Sequence, residues 1–312
     1  MNTAFYSPAE CRLHDMGQGH PECPKRLDAI ADHLKATGLD RALQFHEAPM
    51  ATMQQIERAH SAAHALHMQD LLQEVQRNGR PRAIDPDTIA SPGTWQAVMR
   101  AAGAAVAATD EVMAGRASNA FCAVRPPGHH ATRDTAMGFC FFNSVAVAAR
   151  HALEVHGLQR VAIIDFDVHH GNGTEDIIAG DPRIFMASFF QHPLYPYSGD
   201  VPRGSNMVNV PLAPYSRGPV AREAVEKLWM PKLEEFKPQM IFISAGFDAH
   251  REDELGQLGL IEADYAWITQ QIMALAARHA QGRIVSCLEG GYNLGALARS
   301  VAAHLRVLAD VH

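Results

Sequence analysis

The sequence predicts an α/β protein built on a mainly parallel sheet with helices on both faces. Three observations carry this. From about residue 120 onward, short apolar runs alternate with helical stretches, as they do in doubly wound sheets. The run Val161-Ala162-Ile163-Ile164 is aliphatic at every position, which suits a strand covered on both faces. Polar side chains and glycines gather just past the ends of such runs, at the edge where open α/β sheets bind their ligands.

In chain order, residues 3–6 form a first short strand. After a polar loop, Pro24 opens a helix in which Leu27, Ile30, Ala31 and Leu34 recur at helical spacing and Gly38 is the stop. Residues 43–45 read as a strand, and 52–75 as helical with a break near Ser61. Asn78-Gly79-Arg80-Pro81 is a turn. Ser91 as N-cap and Pro92 as first residue open a long helix to about residue 114. Its Ala101, Ala102, Ala104 and Ala105 permit close packing on a sheet. Strands are predicted at 120–124, 183–190, 208–211, 240–245 and 284–288, with helices at 144–155, 219–236, 262–277 and after 293. No repeat, low-complexity tract or linker divides the chain, so residues 1–312 read as one domain.

Composition narrows the function. Hydrophobic residues make up 47% and charged residues 20% of the 312, ordinary values for a globular enzyme. The net charge of −7 and the lack of a basic tract argue against nucleic-acid binding. No run of about 18 apolar residues suggests a membrane span, and the start lacks the pattern of a signal peptide. Five cysteines without a CxxC pair fit reduced thiols and a cytoplasmic location. Of the 18 histidines, most are expected to be solvated, His60, His64 and His67 on one helix among them. The tandem pairs His129-His130 and His169-His170 stand apart.

Four predicted strands end in short loops rich in reactive side chains. These loops carry His129-His130, the stretch Asp165-Phe166-Asp167-Val168-His169-His170-Gly171-Asn172, Asp248, and Tyr292. Singly, each has a plain explanation: a stiff turn, a charged loop, a capping aspartate, a surface tyrosine. Together they point to one site on one sheet edge. In an extended segment, alternate residues point the same way, so Asp165, Asp167 and His169 are a first candidate set of metal ligands.

The chain resembles the histone deacetylase family of zinc amidohydrolases, its class II branch in particular. The resemblance rests on His20-Pro21-Glu22-Cys23-Pro24-Lys25-Arg26-Leu27, Arg125-Pro126-Pro127-Gly128-His129-His130, the stretch Gly138-Phe139-Cys140-Phe141-Phe142-Asn143 continuing to Arg150, Asp165 to Gly173, Ser244-Ala245-Gly246-Phe247-Asp248 and Leu288-Glu289-Gly290-Gly291-Tyr292-Asn293. These motifs occur in family order along almost the whole chain. The resemblance implies an arginase–deacetylase fold and a zinc ion held by Asp167, His169 and Asp248, with an open position for water. It moves Asp165 out of the zinc shell. That aspartate would instead help hold a structural potassium ion, with the carbonyls of Asp167, His169 and Phe189 and the Ser188 hydroxyl, and would orient His129.

The implied reaction is hydrolysis of Nε-acetyl-lysine to lysine and acetate, and hydroxamate inhibitors are expected to bind. Zinc would acidify water and polarise the amide oxygen. His130 would move the proton, His129 would act electrostatically through Asp165, and Asn172 would orient His130. Because an amide cannot stabilise imidazolium as a carboxylate does, the two histidines should differ in pKa. Tyr292 would donate to the oxyanion. Phe139 and Tyr195 would line the lysine channel, Gly138 would accept the substrate N–H, and Arg26 would line an acetate-release channel. Phe141 is read as core.

An acetylpolyamine deacetylase is the nearest alternative. It calls for an acidic gatekeeper where this chain has Leu255, with Glu254 adjacent. A two-manganese ureohydrolase lacks its extra aspartates here. A catalytically dead binding module is disfavoured because every catalytic position is filled.

Overall fold

The computed structural model describes residues 2–311. Eight strands form one sheet: β1 (Thr3–Tyr6), β2 (Leu43–His46), β3 (Asn119–Cys122), β4 (Val161–Asp165), β5 (Ile184–Gln191), β6 (Met207–Leu212), β7 (Met240–Ala245) and β8 (Ile284–Leu288). Every pairing in it is parallel. The lateral order is β2-β1-β3-β8-β7-β4-β5-β6. The chain builds one side, jumps from β3 to β4, builds the other, and returns to insert β7 and β8 in the middle. The four strands whose ends carry the motif loops are therefore the adjacent central ones, β3, β8, β7 and β4. This topology brings the four loops together at the carboxyl edge.

The helices follow from the same pattern. Those longer than four residues are α1 (Lys25–Thr37), α2 (Ala62–Asn78), α3 (Thr94–Met113), α4 (Ser144–Glu154), α5 (Asn172–Ile178), α6 (Gly218–Ala224, continuing through a π turn at Val225–Trp229 into Met230–Phe236), α7 (Glu262–His279) and α8 (Leu294–Leu308). In one layer α1 and α7 pack on α8, and in the other α3 packs on α4. Covered on both sides, β4, β5, β7 and β8 are buried at every position. Ala101, Ala102, Ala104 and Ala105 are buried as expected, and so is Phe141. All five cysteines are free thiols. No helix among the described residues is long and apolar enough to cross a membrane.

Two local expectations are corrected. Ser91 does not cap α3, which begins at Thr94 after Gly93. The Ser91 hydroxyl accepts instead from the Asp15 N–H at 3.0 Å, and Ser91 is held in a turn by the Thr94 hydroxyl and N–H. His60 and His64 are buried rather than solvated; only His67 of the three is exposed. His60 lies between the Thr132 carbonyl (2.8 Å) and the Asn143 N–H (2.9 Å), and His64 meets the Phe141 carbonyl at 3.1 Å. Both imidazoles satisfy buried main-chain groups of the 132–143 segment, partners that helical spacing does not show.

Candidate active site

The β4 strand ends at Asp165, and its register places that residue beside Ser244 of β7 and Ser188 of β5. Beyond it the chain turns inward under tight main-chain control. The N–H of Asp167 donates to Asp165 Oδ1 (3.1 Å), that of His169 to Asp167 Oδ1 (2.9 Å), and that of Val168 to Asp248 Oδ1 (2.8 Å). Gly290, from the β8 loop, donates its N–H to Asp167 Oδ2 at 2.9 Å. A side chain on Gly290 would displace both acids: a Cβ would lie 2.1 Å from Asp248 Oδ2 and 2.6 Å from Asp167 Oδ2.

These bonds aim Asp167, His169 and Asp248 at one point. His169 Nδ1 lies 3.0 Å from Asp167 Oδ1 and 3.2 Å from Asp248 Oδ2, and the three donor atoms lie within 4.8 Å of one another. Asp165 stands outside this group. The structure thus groups Asp167 and His169 with Asp248 rather than with Asp165, against the first candidate set. Two carboxylates share one imidazole, so the acids outnumber the base. Burial and then the Asp167 charge push Asp248 up to about 7. Burial alone would lower His169, but its bonds to Asp167 and Asp248 outweigh that and raise it to about 10. Oxygen and imidazole donors with surplus negative charge fit a divalent ion such as zinc.

The two histidines after β3 have opposite surroundings. His129 Nδ1 meets Asp165 Oδ2 at 3.0 Å, and its Nε2 lies 3.8 Å from Asp167 Oδ2. Burial works against its charge, but Asp167 and Asp165 prevail and hold its pKa well above the usual range. His130 Nδ1 meets Asn172 Oδ1 at 2.7 Å. Burial, then the charges of His129 and His169, hold His130 well below that range. Asn172 can reach His130 because it opens α5 rather than sitting in a loop.

A cavity of about 830 Å³ opens over this floor. His129, His130, His169, Gly138, Phe139, Tyr195, Leu255 and Tyr292 all line it. The Phe139 ring sits edge-on to Tyr292 at 5.9 Å, and Tyr195 edge-on to His130 at 5.1 Å. Gly138 has a φ of 56°, and a Cβ there would strike the His130 ring at 2.6 Å; glycine is needed on both counts. Its carbonyl accepts from the Cys140 thiol at 3.3 Å. Burial, then the Asp248 charge, keep the Tyr292 hydroxyl pKa well above its usual value. Asp167, Asp248, Asp165 and Asn172 lie behind the lining residues.

Arg26 is not on the cavity wall. It is buried behind Tyr292, its guanidinium 5.0 Å from the ring centroid. It donates to the carbonyls of Gly291 (2.7 Å) and Glu289 (2.5 Å) and to Glu22 (3.1 Å). Ser188 and Phe189 lie one strand away on β5, where Ser188 faces Asn209 at 3.4 Å.

Three buried acids behind the site were missed in the sequence. Glu289 accepts the N–H groups of Gly128 (2.6 Å) and His129 (3.1 Å) and the Ser244 hydroxyl (3.0 Å). Burial raises it to about 7. Asp253 accepts from the N–H groups of Leu255 (3.0 Å), Tyr292 (2.6 Å) and Asn293 (3.0 Å). Glu22 holds Arg125 and Arg26. Glu22 and Glu289 fall within the quoted motifs, and that is the only signal their sequence positions offered.

A histone deacetylase domain model matches residues 20–308. The chain belongs to the histone deacetylase family. It is 38% identical to a histone deacetylase-like amidohydrolase of Pseudomonas aeruginosa, over 88% of this chain and 73% of that one. It is 39% identical to the chloroplastic histone deacetylase 14 of Arabidopsis thaliana, over 97% of this chain and 76% of the relative. The crystal structure of the HDA15 HD domain superposes with a TM-score of 0.92 at 33% identity, covering 99% of this chain and 88% of the other. The fold is thus the arginase–deacetylase fold of histone deacetylases, and the chain is a hydrolase of that family.

Proposed function

We propose that this hydrolase cleaves Nε-acetyl-lysine and related acyl-lysine amides, using zinc held by Asp167, His169 and Asp248. One observation carries the reading. The anionic donor group lies on the floor of the cavity beside two histidines held in opposite charge states. Bound there, zinc supplies Lewis acidity, lowering the pKa of water and polarising the amide carbonyl.

The chain's own residues supply the rest. With its Nδ1–H donated to Asn172 Oδ1, His130 keeps a lone pair on Nε2. Its depressed pKa leaves it neutral and ready to take a proton from the attacking water. It returns that proton to the leaving amine. His129 stays charged between Asp165 and Asp167, and with ring centroids 4.0 Å apart its charge keeps His130 deprotonated in the resting state. The protonated Tyr292 hydroxyl donates to the developing oxyanion. Phe139 and Tyr195 flank the lysine stem, and the Gly138 carbonyl receives the substrate N–H. Arg26 braces the Tyr292 loop through the carbonyls of Gly291 and Glu289. A structural potassium ion belongs to the same reading, held by oxygens of Asp165, Asp167, His169, Ser188 and Phe189. The pairing of Asp165 with Ser188 in the sheet supports it.

Leu255 favours acyl-lysine over a cationic polyamine, since it lines the cavity while Glu254 is exposed. Asp87, also on the lining, is the one observation that favours an acetylpolyamine. The test compares turnover of an acetyl-lysine peptide and N8-acetylspermidine. The peptide is expected to be cleaved faster; much faster cleavage of the spermidine overturns the assignment.

A further inference from the structure

A second cluster of metal-binding side chains lies far from the catalytic floor. Asp110 sits in the last turn of α3, His151 in the last turn of α4, and His156 just past the end of α4. Both helices end where the chain is about to enter β3 and β4. The cluster therefore lies at the amino edge of the sheet, opposite the catalytic loops.

We propose that Asp110, His151 and His156 form a second site, for a divalent transition ion such as Zn²⁺ or Ni²⁺. Both imidazoles present Nε2 to the same oxygen, Asp110 Oδ1, at 2.7 Å each. One donor atom from each residue lies within 4.8 Å of the others. Ligands of a four-coordinate ion with bonds of about 2.0–2.1 Å stand about 3.3 Å apart, so a small opening of the two 2.7 Å contacts makes room for the ion between the three donors. The imidazole rings meet edge-on at 5.3 Å. Two imidazoles and a carboxylate suit zinc, nickel or copper. The His151 side chain is 6% exposed, while those of Asp110 and His156 are 46% and 22% exposed. The site is anchored on one side and open to water ligands on the other.

One neighbour opposes the ion. Arg58 donates from Nη1 to His151 Nδ1 at 3.2 Å. This fixes the proton on Nε2, where it bonds to Asp110. Metal binding requires the Nδ1–H tautomer, or loss of the Nε2 proton. Arg58 already has a second partner in Glu154, at 3.3 Å from its Nε. When the ion binds, Arg58 shifts fully to Glu154, His151 takes its Nδ1–H tautomer, and His156 releases Nε2 in the same way. Arg58 is therefore a competitor whose removal should tighten the site.

The test is equilibrium dialysis of the zinc-loaded full chain against added Zn²⁺, with bound metal counted. Wild type is expected to hold one equivalent more than His156→Ala or Asp110→Ala. Arg58→Gln is expected to hold that equivalent several-fold more tightly. None of the three touches the catalytic cavity, so amide hydrolysis should be unchanged. Equal stoichiometry in wild type and His156→Ala overturns the proposal, as does weaker binding in Arg58→Gln.

Discussion

Two buried charge assemblies lie a few residues apart, and they are balanced in opposite ways. In the first, Asp165, Asp167 and Asp248 face the imidazoles of His129 and His169. Acids outnumber bases, and two carboxylates share one histidine. In the second, the single carboxylate of Glu22 meets Arg125, Arg26 and His14, all without solvent exposure. There bases outnumber the acid, and the spare guanidinium protons go to the carbonyls of Cys11, His14, Gly291 and Glu289. Neutral oxygens complete the second assembly. The first suits an added cation. The difference separates the proposed working centre from the brace behind it: the first holds the donors a metal would need, while the second fixes the loops that carry Tyr292 and His129.

Variants at the catalytic side and at the brace should fail differently. His130→Ala is expected to lose about 10²–10⁴-fold in kcat, the usual worth of acid–base catalysis, with metal content and melting temperature retained. Glu22→Gln should do the reverse. It leaves two guanidinium groups buried against a neutral amide, and breaking such a pair costs about 3–5 kcal/mol, visible in denaturant unfolding. Tyr292→Phe should bind zinc normally yet lose about 10²–10³-fold in kcat, as when one oxyanion donor is removed; full activity in that variant would falsify the oxyanion role.

The smallest effect sharpens the contrast between the histidines. The depressed pKa of His130 puts the neutral base in place at neutral pH. Activity should therefore fall only as pH drops through that lowered value, below the usual histidine range near 6.5. Asn172→Asp supplies a carboxylate that stabilises the imidazolium. The acid limb of the kcat/KM profile should move to higher pH. A profile that stays put would show that Asn172 does not control the proton on His130.

Much of this was legible in the residues. The aliphatic runs of β4 and β7 announced buried strands, and the loops after them carried their chemistry openly. The lateral order was not legible, because nothing local says that β7 and β8 return to the centre. The proposed zinc set shows the same limit. Alternation along β4 put Asp165 beside Asp167, but the chain turns after Asp165, and the third donor, Asp248, comes from the loop after β7. Glu22, Asp253 and Glu289 were overlooked as individuals because their partners are main-chain groups and arginines from distant segments. His60 and His64 were misread for that reason too.

The most direct measurement is activity against bound zinc. The purified chain is stripped with a chelator, then titrated with Zn²⁺ while hydrolysis of an acetyl-lysine peptide is followed. Activity should vanish on stripping and return with the first equivalent in wild type, and it should not return in Asp248→Ala that remains folded. Full hydrolysis by the stripped protein, or by folded Asp248→Ala, would contradict a zinc centre at Asp167, His169 and Asp248.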